Sequence, residues 1–83
     1  MKSVRVDGVV KVDGNVTSDA VVELHNPTGD VLTQVQVDGN GRFIFYLRPG
    51  KWSLNAWDSR GHTGAAEVTL DDEAGMSAQI DLR

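Results

Sequence analysis

The segment from Asp38 to Trp57 is the part of this 83-residue chain that most constrains its fold. A Gly-rich turn is followed by Arg-Phe-Ile-Phe-Tyr-Leu, then by Pro49-Gly50, and then by Lys-Trp-Ser-Leu-Asn-Ala-Trp. Core-forming apolar residues occupy every second position of both runs, which is the period of a β-strand with one buried face. The segment therefore predicts two strands that contribute to a common core.

Alternating runs of the same kind recur along the rest of the chain, separated by turn clusters at the spacing of about ten residues that is typical of sandwiches. We predict seven strands: residues 4–12, 20–25, 31–37, two strands within 42–57, residues 62–70 and residues 76–82. In the third, Val31, Val35 and Val37 are expected to share one face. The pattern favours an all-β fold, a seven-stranded antiparallel β-sandwich of the prealbumin-like or immunoglobulin-like class, with residues 1–83 as a single domain.

The charge of the chain argues against two classes of partner. It has 12 acidic and 8 basic residues and a net charge of −4, and the basic residues are scattered singly. Nucleic acids and anionic membranes bind concentrated positive charge, so neither is an expected partner. We expect a protein partner, either a second copy or a larger assembly, with a carbohydrate as an alternative.

The N-terminus, the length of the apolar runs and the cysteine content bear on the compartment in which we expect the protein. The N-terminus is polar and lacks the apolar core of a signal peptide, and no apolar run is long enough to span a membrane. With no cysteine, the chain has no disulfide and no thiolate metal site. We therefore expect a cytoplasmic protein or, if a phage encodes it, a virion protein.

The two strands within 42–57 predict a surface as well as a core. If Pro49-Gly50 closes a hairpin, Phe45 faces Leu54 and Phe43 faces Ala56 on the inward side. The preceding turn, from Asp38 to Gly41, is expected to close a hairpin in the same way. The outward side chains then form the candidate interaction surface, Arg42, Ile44, Tyr46 and Trp57.

Tyr and Trp are enriched at binding hot spots, which favours an interface on that surface. Two alternatives stay open. Arg42 covers Trp57 by a cation–π contact and the surface has no function, or the aromatic side chains bind a sugar ring.

The same segment resembles the carboxypeptidase regulatory-like domain, a transthyretin-like (prealbumin-like) sandwich. The matching motif consists of Asp38, Gly41, Phe43, Phe45, Pro49, Gly50, Trp52 and Leu54. Upstream elements of the family are matched by Val6, Gly8 and Val10 and by Ala20, Val22 and Leu24. Within that group the chain is most similar to a small actinobacterial family of unknown function. The resemblance implies a transthyretin-like fold and an accessory role without catalytic residues.

The residues that often carry chemistry do not form a recognisable site. A calcium-binding EF-hand starting at Asp38 would need Gly and Glu where the chain has Phe43 and Pro49, so the Asp38 segment is interpreted as a turn. His25 and His62 have no zinc-ligand spacing. The acidic run at residues 71–73 is interpreted as a solvated loop.

A hydrolase triad of Ser59, His62 and Asp58 is also disfavoured. The three residues are close in sequence, but no nucleophile elbow or oxyanion loop surrounds them. The C-terminus lacks the Tyr-Arg-Gly-Ser-type tail of the hydroxyisourate hydrolases, the enzymes that share the transthyretin-like fold. We predict no catalytic, metal or cofactor residues.

The function favoured by these observations is a non-enzymatic structural or protein-interaction module. Its most concrete form is a small subunit that docks on or decorates a larger assembly, such as a virion capsid. A carbohydrate-binding module and a cytoplasmic accessory protein of unknown role are the alternatives.

Overall fold

A computed structural model describes residues 3–71 and 75–83. Eight strands follow one another along the chain: β1 (Val4–Val12), β2 (Asn15–Val16), β3 (Ala20–His25), β4 (Val31–Gln36), β5 (Arg42–Leu47), β6 (Gly50–Asp58), β7 (Thr63–Leu70) and β8 (Met76–Leu82). They form two four-stranded sheets. In the first, β1 lies between β8 and β5, with β2 beside the end of β1; in the second, the order is β4-β3-β6-β7. The predicted all-β sandwich is confirmed.

The eighth strand, which the sequence prediction lacked, is the two-residue β2. It pairs with the end of β1 and places Val12 opposite Asn15. The connecting residues Asp13 and Gly14 have φ angles of 52° and 81°. Asp-Gly in this left-handed conformation is the preferred connection of a two-residue hairpin. A turn therefore follows β1 where the first predicted strand ends, and the sequence prediction missed the short strand after it.

The predicted purely antiparallel pairing is wrong for one pair of strands. β8 runs parallel to β1, with Gly8 opposite Ala78 and Val12 opposite Leu82. The cause is the path of the chain, because β7 belongs to the other sheet and the chain crosses between the sheets before it enters β8. The crossing includes residues 72–74, so most of the predicted acidic loop lies outside the described residues.

Both hairpins predicted around β5 are wrong. β5 pairs with β1, with Phe45 opposite Val6, whereas β6 lies between β3 and β7 in the other sheet. β4, which precedes β5, also belongs to that other sheet. The turns at residues 38–41 and 48–49 therefore carry the chain across the sandwich. The alternation of apolar residues did not reveal this. The inward side chains of two strands meet in the core both when the strands are neighbours in one sheet and when they lie in opposite sheets.

The core consists of the inward residues of both sheets, as the alternation predicted. The most deeply buried large side chains are those of Leu54, Ile80, Leu82, Val6, Val10 and Val22. Phe43 and Phe45 contribute a tilted aromatic pair with ring centroids 5.9 Å apart. At about 25 cal/mol per Å² of buried apolar surface, such side chains supply the main stabilisation of a small domain.

Gly8 makes room for this aromatic pair. It lies opposite Phe43 on the neighbouring strand, and a Cβ atom at Gly8 would be 2.4 Å from the Phe43 ring and 2.6 Å from the Ala78 carbonyl oxygen. A side chain at this position would therefore displace either the ring or the backbone of β8. The match of Gly8 to the family motif thus has a packing explanation.

Candidate interaction surface

The outward side chains of β5 form the first part of the candidate surface. Phe43, Phe45 and Leu47 point into the core, so the residues between them point away from it. Ile44 is 45% exposed and Tyr46 is 66% exposed, and Arg42 is also exposed. These three residues therefore point outward, as the alternation predicted.

Trp57 does not belong to this surface, and that part of the prediction is wrong. It lies on β6 in the other sheet, between Val21 on β3 and Thr63 on β7, and it is half-buried. The predicted register set Trp57 beside Arg42, but β5 and β6 do not pair. Arg42 therefore does not cover Trp57, and Tyr46 and Trp57 do not form one aromatic platform.

The sandwich has one closed side. Here β7 of one sheet lies beside β8 of the other, and Thr63 and Arg83 exchange two backbone hydrogen bonds of 3.2 and 2.9 Å. The opposite side, which we call the open side, is formed by β4 of one sheet and by β5 and β2 of the other. Among residues 3–71 and 75–83, β4 pairs only with β3 and β5 only with β1, so each has one edge without a neighbouring strand.

All the large apolar side chains that are exposed in the described part of the chain lie on these three strands. They are Val16 on β2, Val31 and Leu32 on β4, and Ile44 and Tyr46 on β5. A soluble domain usually scatters such residues singly. Their concentration on one side of the sandwich marks that side as the candidate surface.

The contribution of β4 was missed by the sequence prediction. Leu24 pairs with Thr33 and His25 with Val31, so Leu32 is the extra residue of a β-bulge. The bulge moves Val31 off the face of Val35 and Val37 that the alternation predicted, and Val31 is 55% exposed. An extra residue shifts the period of two by one position, which alternation alone does not detect.

Charged side chains surround the apolar residues of β5. Arg5 on β1 is opposite Tyr46, and Asp7 is opposite Ile44. Arg5 and Asp7 form an exposed ion pair of 3.5 Å. Arg5, Asp7 and Ile44 line a broad, open depression that also includes Arg42. An apolar centre with a charged rim is the usual composition of a protein interface.

His25 is held inside the fold by three contacts. Its Nε2 atom lies 2.6 Å from Glu23 Oε1 and 3.0 Å from Asn55 Nδ2, and its Nδ1 atom lies 3.3 Å from the Gly29 carbonyl oxygen. Both ring nitrogens therefore face partners within the protein. The arrangement joins the β3–β4 turn to the outer face of the sheet.

His62 and Ser59, both in the turn between β6 and β7, also contact other residues of the protein. His62 Nδ1 lies 2.7 Å from Asp58 Oδ2, and the Ser59 hydroxyl donates to Asp19 rather than to His62. Ser59 and His62 thus each contact an aspartate and not each other. Within the described residues, no three His, Asp or Glu side chains converge as metal ligands.

Two aspartates hold the turns that connect the strands. Asp38 Oδ1 accepts hydrogen bonds of 2.8 and 3.0 Å from the backbone N–H groups of Asn40 and Arg42. These bonds hold the pKa of Asp38 below its ordinary value of 3.8. The interpretation of this segment as a turn is confirmed.

Asp58 is buried and plays the same part in the β6–β7 turn. Burial by itself raises its pKa, but hydrogen bonds from the backbone and side chain of His62 and from the backbone of Arg60 outweigh that effect. The pKa of Asp58 is therefore also below its ordinary value of 3.8.

We expect the domain to lose stability in acid because of these two carboxyl groups. As the pH falls below about 4, the unfolded chain binds protons at Asp38 and Asp58 before the folded chain does, which favours unfolding until the pH has passed the folded pKa values. Thermal unfolding of wild type and of Asp58→Asn, followed by circular dichroism at pH values between about 2 and 6, measures this. The variant should show a flatter dependence of Tm on pH, and equal slopes would contradict the assignment.

Comparison with known proteins places the chain in a family. Residues 1–82 match the model of a family described as "Protein of unknown function (DUF1416)". The chain belongs to the DUF1416 family. No curated protein matches it in sequence.

Solved structures similar to this DUF1416 chain support the fold. A DUF3823 family protein from Parabacteroides merdae ATCC 43184 is similar with a TM-score of 0.73 and 16% identity over 98% of this chain and 46% of that one. A structure described as S.CueP is similar with a TM-score of 0.74 and 14% identity over 100% of this chain and 65% of that one. The chain thus spans less than two thirds of either structure, and at these identities the similarity concerns the fold alone.

Within residues 3–71 and 75–83 there is no helix of sufficient length and apolar character to cross a bilayer.

Proposed function

We propose that this chain is a non-enzymatic protein-interaction module, a small subunit that docks on a larger assembly through the open side of its sandwich. The observation that carries the proposal is the position of the exposed large apolar residues, all of which, among the described residues, lie on β2, β4 and β5. Exposed apolar patches on a small acidic domain are costly in water and are relieved by a partner.

The strand β5 is the centre of the proposed docking surface. Tyr46 is the most exposed of these side chains at 66%, and Ile44 lies two positions away on the same face. Both are held on a strand whose alternate side chains are locked in the core, so the surface is rigid before binding. A rigid surface loses less conformational entropy on association.

The polar residues support the non-enzymatic part of the proposal. The ring nitrogens of His25 contact Glu23, Asn55 and the backbone, and His62 is bound to Asp58. Both ring nitrogens of His25 are thus occupied within the protein, and the Ser59 hydroxyl donates to Asp19 rather than to His62. The resemblance to carboxypeptidase regulatory-like domains supports the same interpretation, because most of those domains are accessory modules.

Site-specific photocrosslinking tests the proposal. We expect a photoreactive phenylalanine analogue in place of Tyr46 to form a defined covalent adduct with a protein when the native host cells are irradiated. The matched control carries the analogue at Thr69, an exposed position of β7 on the closed side, and should give no such adduct. Equal adducts from both positions, or no adduct from either, would contradict the proposal.

The partner identified in this way allows an affinity measurement. Ile44→Ser combined with Tyr46→Ser should weaken binding at least about tenfold, since exposed aromatic anchors carry much of the energy of an interface. The control combines Ala65→Ser with Thr69→Ser on β7, and its affinity should equal that of wild type. Binding to a glycan array that depends on Trp57, without a protein adduct at position 46, would favour a carbohydrate-binding module instead.

A further inference from the structure

We propose that two copies of this chain associate by antiparallel pairing of their β4 strands. The open side includes β4, but this self-association uses the backbone edge of that strand, whereas the docking surface is centred on the side chains of Ile44 and Tyr46 on β5, so the two proposals can fail separately. The occupant of the β4 edge is thus a second copy of the chain.

The edge of β4 is unusually accessible for pairing. Within the described part of the chain, β4 borders only β3, so the backbone groups on its other edge have no neighbouring strand. Its side chains are largely exposed, including Leu32 at 50%. An edge of this kind is a template for a further strand, whose hydrogen bonds would satisfy the backbone N–H and C=O groups.

The sequence of β4 lacks the usual protection against such pairing. Residues 31–36 read Val-Leu-Thr-Gln-Val-Gln, without charge, proline or glycine. Native edge strands are commonly protected by Lys, by Pro or by a bulge. The bulge at Leu32 lies at one end of β4, and residues 33–36 pair in regular register with β3.

A second copy fits this edge because the strand is compatible with itself. A two-fold axis perpendicular to the sheet places residues of the same face opposite each other. With the axis at Gln34, which lies on the outer face opposite Glu23, the pair would place Gln34 opposite Gln34 of the second copy. On the core side, Thr33 would lie opposite Val35 of the second copy. No like charges are opposed, and the two sheets join into one continuous sheet.

The corresponding pairing of β5 is less favourable. An antiparallel self-pair centred on Phe45 would place Arg42 opposite Arg48 of the second copy. Like charges directly opposite each other destabilise a strand pair. β2 is only two residues long. Among the strands of the open side, β4 is therefore the edge best suited to self-association.

Sedimentation equilibrium over concentrations from about 10 μM to 1 mM tests the inference, a range suited to the weak dimers that a single strand pair supports. Wild type should pass from monomer to dimer as the concentration rises. Gln34→Lys, which introduces a repelled charge at the centre of the pair, should weaken the dimer at least tenfold. Gln79→Lys, the same change at an exposed position of β8, should leave the dimer unchanged.

Hydrogen exchange provides a second measurement on the unmodified protein. The amides of residues 31–36 should exchange more slowly at high concentration than at low concentration, whereas those of β7 should not change. A wild type that stays monomeric near 1 mM would overturn the inference, as would a dimer that survives Gln34→Lys. A dimer that is broken by the combined changes Ile44→Ser and Tyr46→Ser, and not by Gln34→Lys, would also overturn the inference. That result would assign the interface to β5.

Discussion

Replacing Leu54 with alanine should destabilise the domain by about 2–5 kcal/mol, the largest effect we expect from a single substitution. Leu54 is completely buried at the centre of its sheet, opposite Leu24 on β3 and Ala66 on β7. Replacing the isobutyl group with a methyl group removes buried apolar surface and leaves a cavity. The three paired strands around it cannot move inward to fill that space. Small domains have total stabilities of only about 5–15 kcal/mol, so the variant should be close to unfolding.

Chemical denaturation with urea, followed by tryptophan fluorescence, measures this loss as a shift of the midpoint. The matched control is Leu32→Ala at low micromolar concentration, because Leu32 is half exposed and the chemical change is identical. We expect the control to differ from wild type by no more than about 0.5 kcal/mol. Similar losses for the two variants would contradict the assigned positions of these residues in the fold.

Replacing Gly41 with alanine should have the second-largest effect, about 2–4 kcal/mol. Gly41 has a φ of 76°, a left-handed conformation that is unfavourable for alanine. A Cβ atom there would also be 2.8 Å from the Val10 carbonyl oxygen and 2.9 Å from that of Thr17. Because both contacts are with backbone, a rotamer change cannot relieve them. The strand ends of β1, β2 and β5 would have to separate.

The same turn supplies the control for this prediction. Gly39 lies two residues away, and a Cβ atom there would have no neighbour within 4 Å. Gly39→Ala should therefore change the urea midpoint little, within about 0.5 kcal/mol, while Gly41→Ala lowers it clearly. If the two variants were equally stable, Gly41 would not be at a close junction of three strands.

The core residues of this fold were predictable from sequence, but the pairing of the strands was not. Alternation correctly assigned Phe43, Phe45 and Leu54 to the buried faces, because burial depends on the local period of two. The same pattern fits a hairpin and a crossing between sheets equally well. A hairpin does not form because β1 pairs with β5 and β3 pairs with β6 instead. These partners are distant in sequence, so the local pattern does not reveal them.

The candidate surface was predictable to a similar extent. The outward orientation of Ile44 and Tyr46 was predicted correctly, because they alternate with core residues on one strand. Trp57 was assigned to this surface only through the wrong hairpin. Val31 and Leu32 were missed because a bulge displaces them, although the uncharged run in β4 was visible in the sequence as a possible exposed edge.

The parallel pair of β1 and β8 has a consequence for biosynthesis. β1 leaves the ribosome before the other described strands of the domain, yet one of its two edges is completed only by β8, which follows all of them, and residues as far apart as Gly8 and Ala78 are paired. Contacts between residues this far apart in sequence slow folding. We expect the nascent domain to stay incompletely folded until β8 has left the ribosome, with the edge of β1 exposed to chaperones or to other chains until then.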